Sequence, residues 1–200
     1  MSIVARSFWF LRHGETDWNA QGLSQGNTDI PLNATGLAQA AAAAAMLRNR
    51  GIATIVASPL DRAATTARVV AETLGLPIET DADLREVCFG EQEGRPMGTW
   101  YDTWIAGDYT PEGAETFAGL RTRAVAALNR ALARPAPVLV VAHGALFRGV
   151  RAAMGLEVNV RTPNAVPLFC DPGPPWTLTV AKKGTVAKEG TVAKEGTVAK

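Results

Sequence analysis

Three short apolar runs divide this chain, and each stops in polar residues. Phe8-Trp9-Phe10-Leu11 ends in Arg12-His13-Gly14, the run at 52–57 ends in Ser58-Pro59, and Val138-Leu139-Val140-Val141-Ala142 ends in His143-Gly144. Runs of this length without polar alternation suit strands buried on both faces, as in a parallel sheet covered by helices. We read strands at 7–11, 52–57 and 138–142, a short one at 78–80, and two late ones at 163–171 and 176–181 across a Pro/Gly turn. Helical stretches lie between them. The first starts near Thr35, with Asn33 or Thr35 as N-cap, and runs through six alanines at 40–45 to about Arg50, where Gly51 stops it. The second covers 60–74, with Ser58 as cap and Pro59 in the entry turn, and places Arg62 in its first turn. An aromatic helix is expected at 99–106, a longer one opening at 111–116 and reaching about Ala133, and a last one at 145–154. Residues 13–32 read as a loop or short helical turn. Alternating buried strands and helices predict a three-layer α/β/α sandwich with a mostly parallel central sheet.

Ligand sites in such folds lie at the carboxyl ends of the strands. Arg12, His13, Ser58 with Arg62, and His143 all fall there, and His13 and His143 are the only two histidines of the 200 residues. Two arginine forks suit a tetrahedral dianion, and the helix starts after Ser58 and Gly144 add N–H groups that can face an anion. A neutral imidazole in this setting can act as a nucleophile toward phosphorus, if its other nitrogen is held by an acceptor such as a carbonyl freed at Gly14. Leaving-group protonation needs a carboxylic acid. In the acidic stretch at 81–98 the preferred residue is Glu86, with Glu91 and Glu93 close by.

Net charge is +1, and the five lysines all lie at or beyond Lys182, so nothing global favours nucleic acid or an anionic membrane. No apolar run approaches the ~20 residues that span a bilayer, the N-terminus lacks a signal-peptide layout, and Cys88 and Cys170 read as free thiols without metal-ligand spacing. A cytoplasmic protein is the expectation. From Thr179, Thr-Val-Ala-Lys recurs four times with a period of six. Residues 1–181 are read as one catalytic domain and 182–200 as a repetitive tail outside the chemistry.

Taken in order, these motifs resemble the histidine phosphatase superfamily, in its phosphoglycerate mutase-like branch. Leu11-Arg12-His13-Gly14-Glu15-Thr16 with Trp18-Asn19 is similar to the family signature, continued by Gln25-Gly26, Asp29, Pro31-Leu32 and Gly36. Ser58-Pro59-Leu60-Asp61-Arg62-Ala63 resembles the second motif, and Leu84-Arg85-Glu86 with Gly90-Glu91-Gln92-Glu93-Gly94 the acid-bearing loop. Gly113-Ala114-Glu115-Thr116 departs slightly from the usual double glycine, and Val140-Val141-Ala142-His143-Gly144 resembles the last motif. The resemblance implies that His13 becomes the phosphohistidine and that Arg12, Arg62 and His143 bind the phosphoryl group. It adds Asn19, with Gln25, Gly26 and Gly144 around the phosphate or substrate, and makes Glu86 the acid and then the base. It calls for no metal and no cofactor. The expected partners are a small organic phosphate ester and, for assembly, a homodimer.

Three activities compete: hydrolysis of a phosphate monoester, isomerisation of a phosphoglycerate mutase type, and phosphate binding without turnover. Glycolytic mutases of the family carry a longer, cation-rich insertion where this chain has 95–113. Here that segment is short, with Arg95 as its one cation and Met97, Trp100, Tyr101, Trp104 and Tyr109 around it. A second anionic group would find little to pair with in it, which favours hydrolysis of a sugar phosphate or a nucleotide-like ester such as α-ribazole phosphate.

Overall fold

The computed structural model describes residues 2–181, and the expectations attached to the repeats at 182–200 lie outside the described residues. Six strands form one sheet: β1 (Phe8–Arg12), β2 (Thr54–Ala57), β3 (Ile78–Thr80), β4 (Val138–Ala142), β5 (Leu168–Asp171) and β6 (Thr177–Val180). Their spatial order is β3-β2-β4-β1-β5-β6. The pairs β3–β2, β2–β4 and β4–β1 are parallel, while β5 and β6 close one edge as antiparallel strands.

The unbroken apolar runs are explained by what lies on each face. Successive strand residues point to opposite sides. Phe8 and Phe10 join a cluster with Leu120, Ala124, Phe147 and Val150 from α5 (Phe117–Leu132) and α6 (Gly144–Ala153). Trp9 and Leu11 join another with Ala43, Ala44, Leu47, Ala67 and Val70 from α2 (Ala34–Leu47) and α3 (Asp61–Leu74). Each apolar side chain fully removed from water contributes roughly 1.5–3 kcal/mol before entropy is charged against it, so each of the four positions from Phe8 to Leu11 has a packing role. Phe10 stacks on Phe147 with ring centroids 3.9 Å apart, fixing α6 over the strand that ends in the first histidine. In the alanine run of α2, Ala40, Ala43 and Ala44 are buried, the last two in the cluster with Trp9 and Leu11, while Ala41, Ala42 and Ala45 face solvent.

Several boundaries differ from the sequence reading, each for a local reason. Asn33 is the N-cap of α2, its Oδ1 accepting from Gly36 N at 2.8 Å. Helix α3 starts at Asp61 with Leu60 in the cap position and no side-chain cap; Ser58 Oγ accepts from Leu60 N at 3.3 Å just before the helix and also meets His143 Nε2 at 2.7 Å. Helix α5 starts at Phe117 under a Thr116 cap, leaving the segment at 111–115 as turns. The strand expected at 163–171 is confined to β5, because 162–165 crosses back over the end of β1. The loop at 13–32 contains one helical turn, α1 (Asp17–Ala20), closed by a Thr16–Asn19 capping box. The aromatic helix α4 is Trp100–Ala106. Cys88 and Cys170 are unpaired. Among the described residues no helix is long and apolar enough to cross a membrane.

Candidate active site

The parallel register brings the polar ends of β1, β2 and β4 to one rim. The ladder continues past the strands: His13 N donates to Ala142 O at 3.0 Å and Ser58 N to Val141 O at 3.0 Å. Beside this rim opens a cavity of about 320 Å³, at the small end of the roughly 300–1,000 Å³ usual for small-molecule sites. Eight of the nine residues expected from sequence line it: Arg12, His13, Asn19, Gln25, Gly26, Arg62, Glu86 and Gly144. His143 stands behind, fully buried, its ring centroid 5.2 Å from that of His13.

His13 Nδ1 lies 2.7 Å from Gly14 O. A carbonyl oxygen only accepts, so Nδ1 carries the proton and Nε2 keeps its lone pair. Burial, then the charges of Arg12 and Arg62, hold His13 well below the usual histidine range. His143 is lowered for the same leading reason, with Arg62 next, and its Nε2 is 2.7 Å from Ser58 Oγ. Both rings are therefore neutral near pH 7.

The two expected arginines are tethered so that part of each guanidinium remains unmatched. Arg12 Nη1 donates to Thr162 O at 2.8 Å; Arg62 Nη1 and Nη2 donate to Thr28 O at 2.9 Å and Gly26 O at 2.6 Å. Burial lowers Arg12 to about 10, partly offset by Glu86, and lowers Arg62 as well. The nearest carboxylate to Arg62, Asp29, is 3.9 Å away. Arg12 Nε, Arg62 Nε, His143 Nδ1 and Gln25 Oε1 are buried without a hydrogen-bond partner among the described residues. Buried polar atoms left unmatched cost free energy, and three of these four can donate to an anion. Gly144 leaves room for Arg12: a Cβ there would meet Arg12 Nε at 3.3 Å.

Both helix starts expected to face a bound anion already hold carboxylates of the protein. Glu86 Oε2 accepts from Ala145 N at 2.9 Å, while its Oε1 accepts from Leu146 N at 2.8 Å and Val87 N at 3.1 Å. Asp29 accepts from Asp61 N at 2.9 Å. Their N–H groups thus position acidic side chains, and the arginine side chains are what remains for an external anion. The neighbouring carboxylates are used differently. Glu93 accepts from Phe89 N, Asn27 N and Thr28 N and so pins the loop bearing Gln25 and Gly26, and Glu91 meets Tyr109 at the surface.

The aromatic helix divides its roles. Trp104 is fully buried, donating to Glu115 O at 2.9 Å, and Trp100 packs on the core. Tyr101 and Met97 reach the cavity. Sequence reasoning missed Arg148, Arg161, Thr162 and Asn164. Arg148 had a signal, since Gly144 and Arg148 are four apart on one helix and share a face. The other three come from the irregular segment after α6. Asn164 Nδ2 donates to His13 O and to Asn19 Oδ1, both at 3.0 Å. The expectation that a second anion would find little to pair with holds for 95–113 alone, because cations reach the cavity from elsewhere. Its lining includes four arginines against Glu86, a net of three positive charges.

The profile of the histidine phosphatase superfamily (branch 1) matches residues 8–167. The chain belongs to that superfamily, whose members are phosphatases or mutases working through a phosphohistidine. A protein of Yersinia enterocolitica described as a probable phosphoglycerate mutase GpmB is 40% identical over 148 residues, 68% of each chain. A mycobacterial glucosyl-3-phosphoglycerate phosphatase solved with VO3 superposes with a TM-score of 0.74 at 30% identity, over 88% of this chain and 98% of that one. An Entamoeba histolytica phosphoserine phosphatase in complex with 3-phosphoglyceric acid shares the fold, with a TM-score of 0.74 at 22% identity over 90% of this chain and 98% of that one.

Proposed function

We propose that this protein hydrolyses a small phosphate monoester through a phosphohistidine on His13. The observation that carries this reading is the bond from His13 Nδ1 to Gly14 O, which leaves the Nε2 lone pair of a neutral ring among cations. Arg12, Arg62 and His143 hold the phosphoryl oxygens, with Asn19, Gln25, Gly26 and Gly144 around them. Nε2 attacks phosphorus, the ester P–O bond breaks, and Glu86 gives its proton to the departing oxygen. Water then attacks phosphorus, Glu86 takes a proton from it, and the N–P bond breaks to release phosphate and neutral His13. A carboxylate offers about four lone-pair positions. Three on Glu86 are taken by backbone N–H groups, which leaves one for the proton in transit. Throughout, charge on the transferred group is met by fixed guanidinium groups, the largest contribution in most phosphoryl transfers. No step calls for a metal.

Charge favours hydrolysis over isomerisation. A mutase must hold a phosphohistidine and a phosphoglycerate together, about five negative charges with phosphate counted near −2. The cavity brings four arginines to face them, with Glu86 protonated to serve as the acid, so isomerisation would leave negative charge unmatched. A glucosyl-3-phosphoglycerate phosphatase at 30% identity superposes over 88% of this chain, which supports the reading. The test is a panel of phosphate monoesters assayed without added metal, with 3-phosphoglycerate followed for isomerisation and with acid-quenched enzyme examined for N-linked phosphate. Phosphate release and a labelled intermediate absent from His13→Ala are expected. Isomerisation without net hydrolysis would overturn the reading in favour of a mutase, and tight phosphate binding without either in favour of a binding protein.

A further inference from the structure

We propose that Ser58 is a positioning residue of the reaction: its hydroxyl donates to His143 Nε2 and so fixes His143 as the tautomer whose Nδ1–H is left for the phosphoryl group. The pair joins two strand ends, since Ser58 directly follows β2 and His143 directly follows β4. This deepens the phosphatase reading and rests on it for turnover, though not for the state of the ring.

Counting hydrogens decides the tautomer. Ser58 and His143 are both fully buried, so their polar atoms need partners inside the protein. Ser58 Oγ lies 2.7 Å from His143 Nε2 and 3.3 Å from Leu60 N. The backbone N–H of Leu60 only donates, so Oγ accepts from it. The hydroxyl has one hydrogen of its own to give, and among the described residues His143 Nε2 is the acceptor it meets. Burial, with Arg62 nearby, keeps His143 neutral, and a neutral imidazole carries a single N–H. With that hydrogen on Nε2, the Ser58 hydroxyl has no acceptor and the Nδ1 lone pair no donor, which leaves two buried groups unmatched. With it on Nδ1, both contacts of Ser58 are matched, and the one group still without a partner is Nδ1–H.

The choice matters for an anion. Nδ1–H gives a phosphoryl oxygen a hydrogen bond, whereas a lone pair in its place would repel it. His13 holds the same tautomer by the reverse device, a carbonyl that accepts from Nδ1 and leaves Nε2 bare. One histidine is thus prepared to attack and the other to donate, although both are neutral and their ring centroids lie 5.2 Å apart. The hydroxyl is carried on anchored backbone, since Ser58 N donates to Val141 O at 3.0 Å on the strand that ends at His143. A rival role for Ser58, steadying the turn into α3 through Leu60 N, would act without His143 and leave the ring as it is.

The test reads the tautomer directly. The chain has two histidines, so His13→Ala leaves a single imidazole, and nitrogen-15 NMR of that labelled protein near neutral pH shows which nitrogen carries the hydrogen. Nδ1–H is expected, with and without inorganic phosphate. Adding Ser58→Ala should move a share of the rings to Nε2–H. With His13 in place, Ser58→Ala should lower kcat/KM on p-nitrophenyl phosphate roughly 10-fold, the worth of one buried hydrogen bond. In a His143→Ala background the same change should cost about twofold or less, because Ser58 acts through that ring. A ring carrying Nε2–H while Ser58 is present, a tautomer unmoved by Ser58→Ala, or the full kinetic loss without His143 overturns the proposal. If no ester is turned over, the phosphatase reading fails while the spectrum still judges Ser58. Should Ser58→Ala fail to fold, Ser58→Cys, with a weak thiol donor in place of the hydroxyl, decides by the same spectrum.

Discussion

Gly14→Ala tests whether the backbone at the rim, and not only the side chains, holds the reacting nitrogen. A Cβ on Gly14 would lie 2.4 Å from Gly36 O and 3.0 Å from Gly36 Cα, where ordinary contact begins at 3.4 Å. Something must move by about 1 Å. Neither side yields easily. Gly36 in the first turn of α2 is itself pressed on Glu15 O, and that turn is tied down by Asn33 N to Glu15 O at 3.0 Å and by Glu15 N to Gln39 Oε1 at 2.9 Å. Gly14 N donates to Thr66 Oγ1 at 3.0 Å. Overpacking of this kind costs about 1–3 kcal/mol, against a total of roughly 5–15 kcal/mol for a domain, so nearly all molecules stay folded. The displaced atom includes Gly14 O, the acceptor that fixes the tautomer and aim of His13. A misplacement of about 1 Å costs on the order of 100-fold in rate. We therefore expect kcat/KM on p-nitrophenyl phosphate to fall roughly 100-fold, while urea unfolding shows a population still folded. Activity within threefold of the parent would refute the reasoning, as would a loss explained by the unfolded fraction.

Acidification should weaken the fold. His13 and His143 are held neutral well below the ordinary value of 6.5, so between that value and their folded ones the unfolded chain binds protons that the native chain refuses, and stability falls with pH. The slope is up to about 1.4 kcal/mol per pH unit for each ring, and urea midpoints measured at pH 7.5, 6.5 and 5.5 read it; a flat profile would contradict the burial argument. Asn164→Ala removes the donor shared by His13 O and Asn19 Oδ1, and kcat/KM should fall ~10- to 100-fold. Adding Asn19→Ala should cost less in that background than in the parent, since the two act as a unit; full additivity would separate them. Ending the chain after Ala181 should leave kcat and KM within twofold of the full-length values, which steady-state assays of both forms would check.

Strand-end reasoning brought Arg12, His13, Arg62 and His143 to one rim because it needs only local information. A buried run that stops in a charged residue places that residue at the rim, whatever the rest of the fold does. That holds for Arg12 and for His143 alike. What escaped it depends on contacts distant in sequence. Asn164 is 151 residues from His13, in a segment whose pattern suggested a strand, yet it crosses the end of β1 and donates to it. Arg161 reaches the cavity from the same crossing. Ser58 looked like a helix cap because Ser-Pro usually is one; its oxygen does meet Leu60 N, one residue short of the helix, but β4 ends beside it and adds the closer partner His143. The helix starts near Ser58 and Gly144 lie at the rim that the strand ends form, and only the packed structure shows that Asp29 and Glu86 occupy their N–H groups. The ordered motifs conveyed which chemistry to expect, whereas Arg161, Thr162 and Asn164 come from a segment with no motif.

Arg12 ends β1, and His13 and His143 directly follow β1 and β4 of a sheet held by core packing on both faces, whereas Gln25, Gly26, Glu86, Met97, Arg161 and Thr162 come from connecting segments. Floor and walls of the cavity are thus separable parts. Exchanging the segment that carries Met97 would alter which molecule fits while leaving the His13 imidazole where β1 and Gly14 put it, and loops tolerate exchange far better than buried strands do. A lineage built this way can change diet without relearning how to chew.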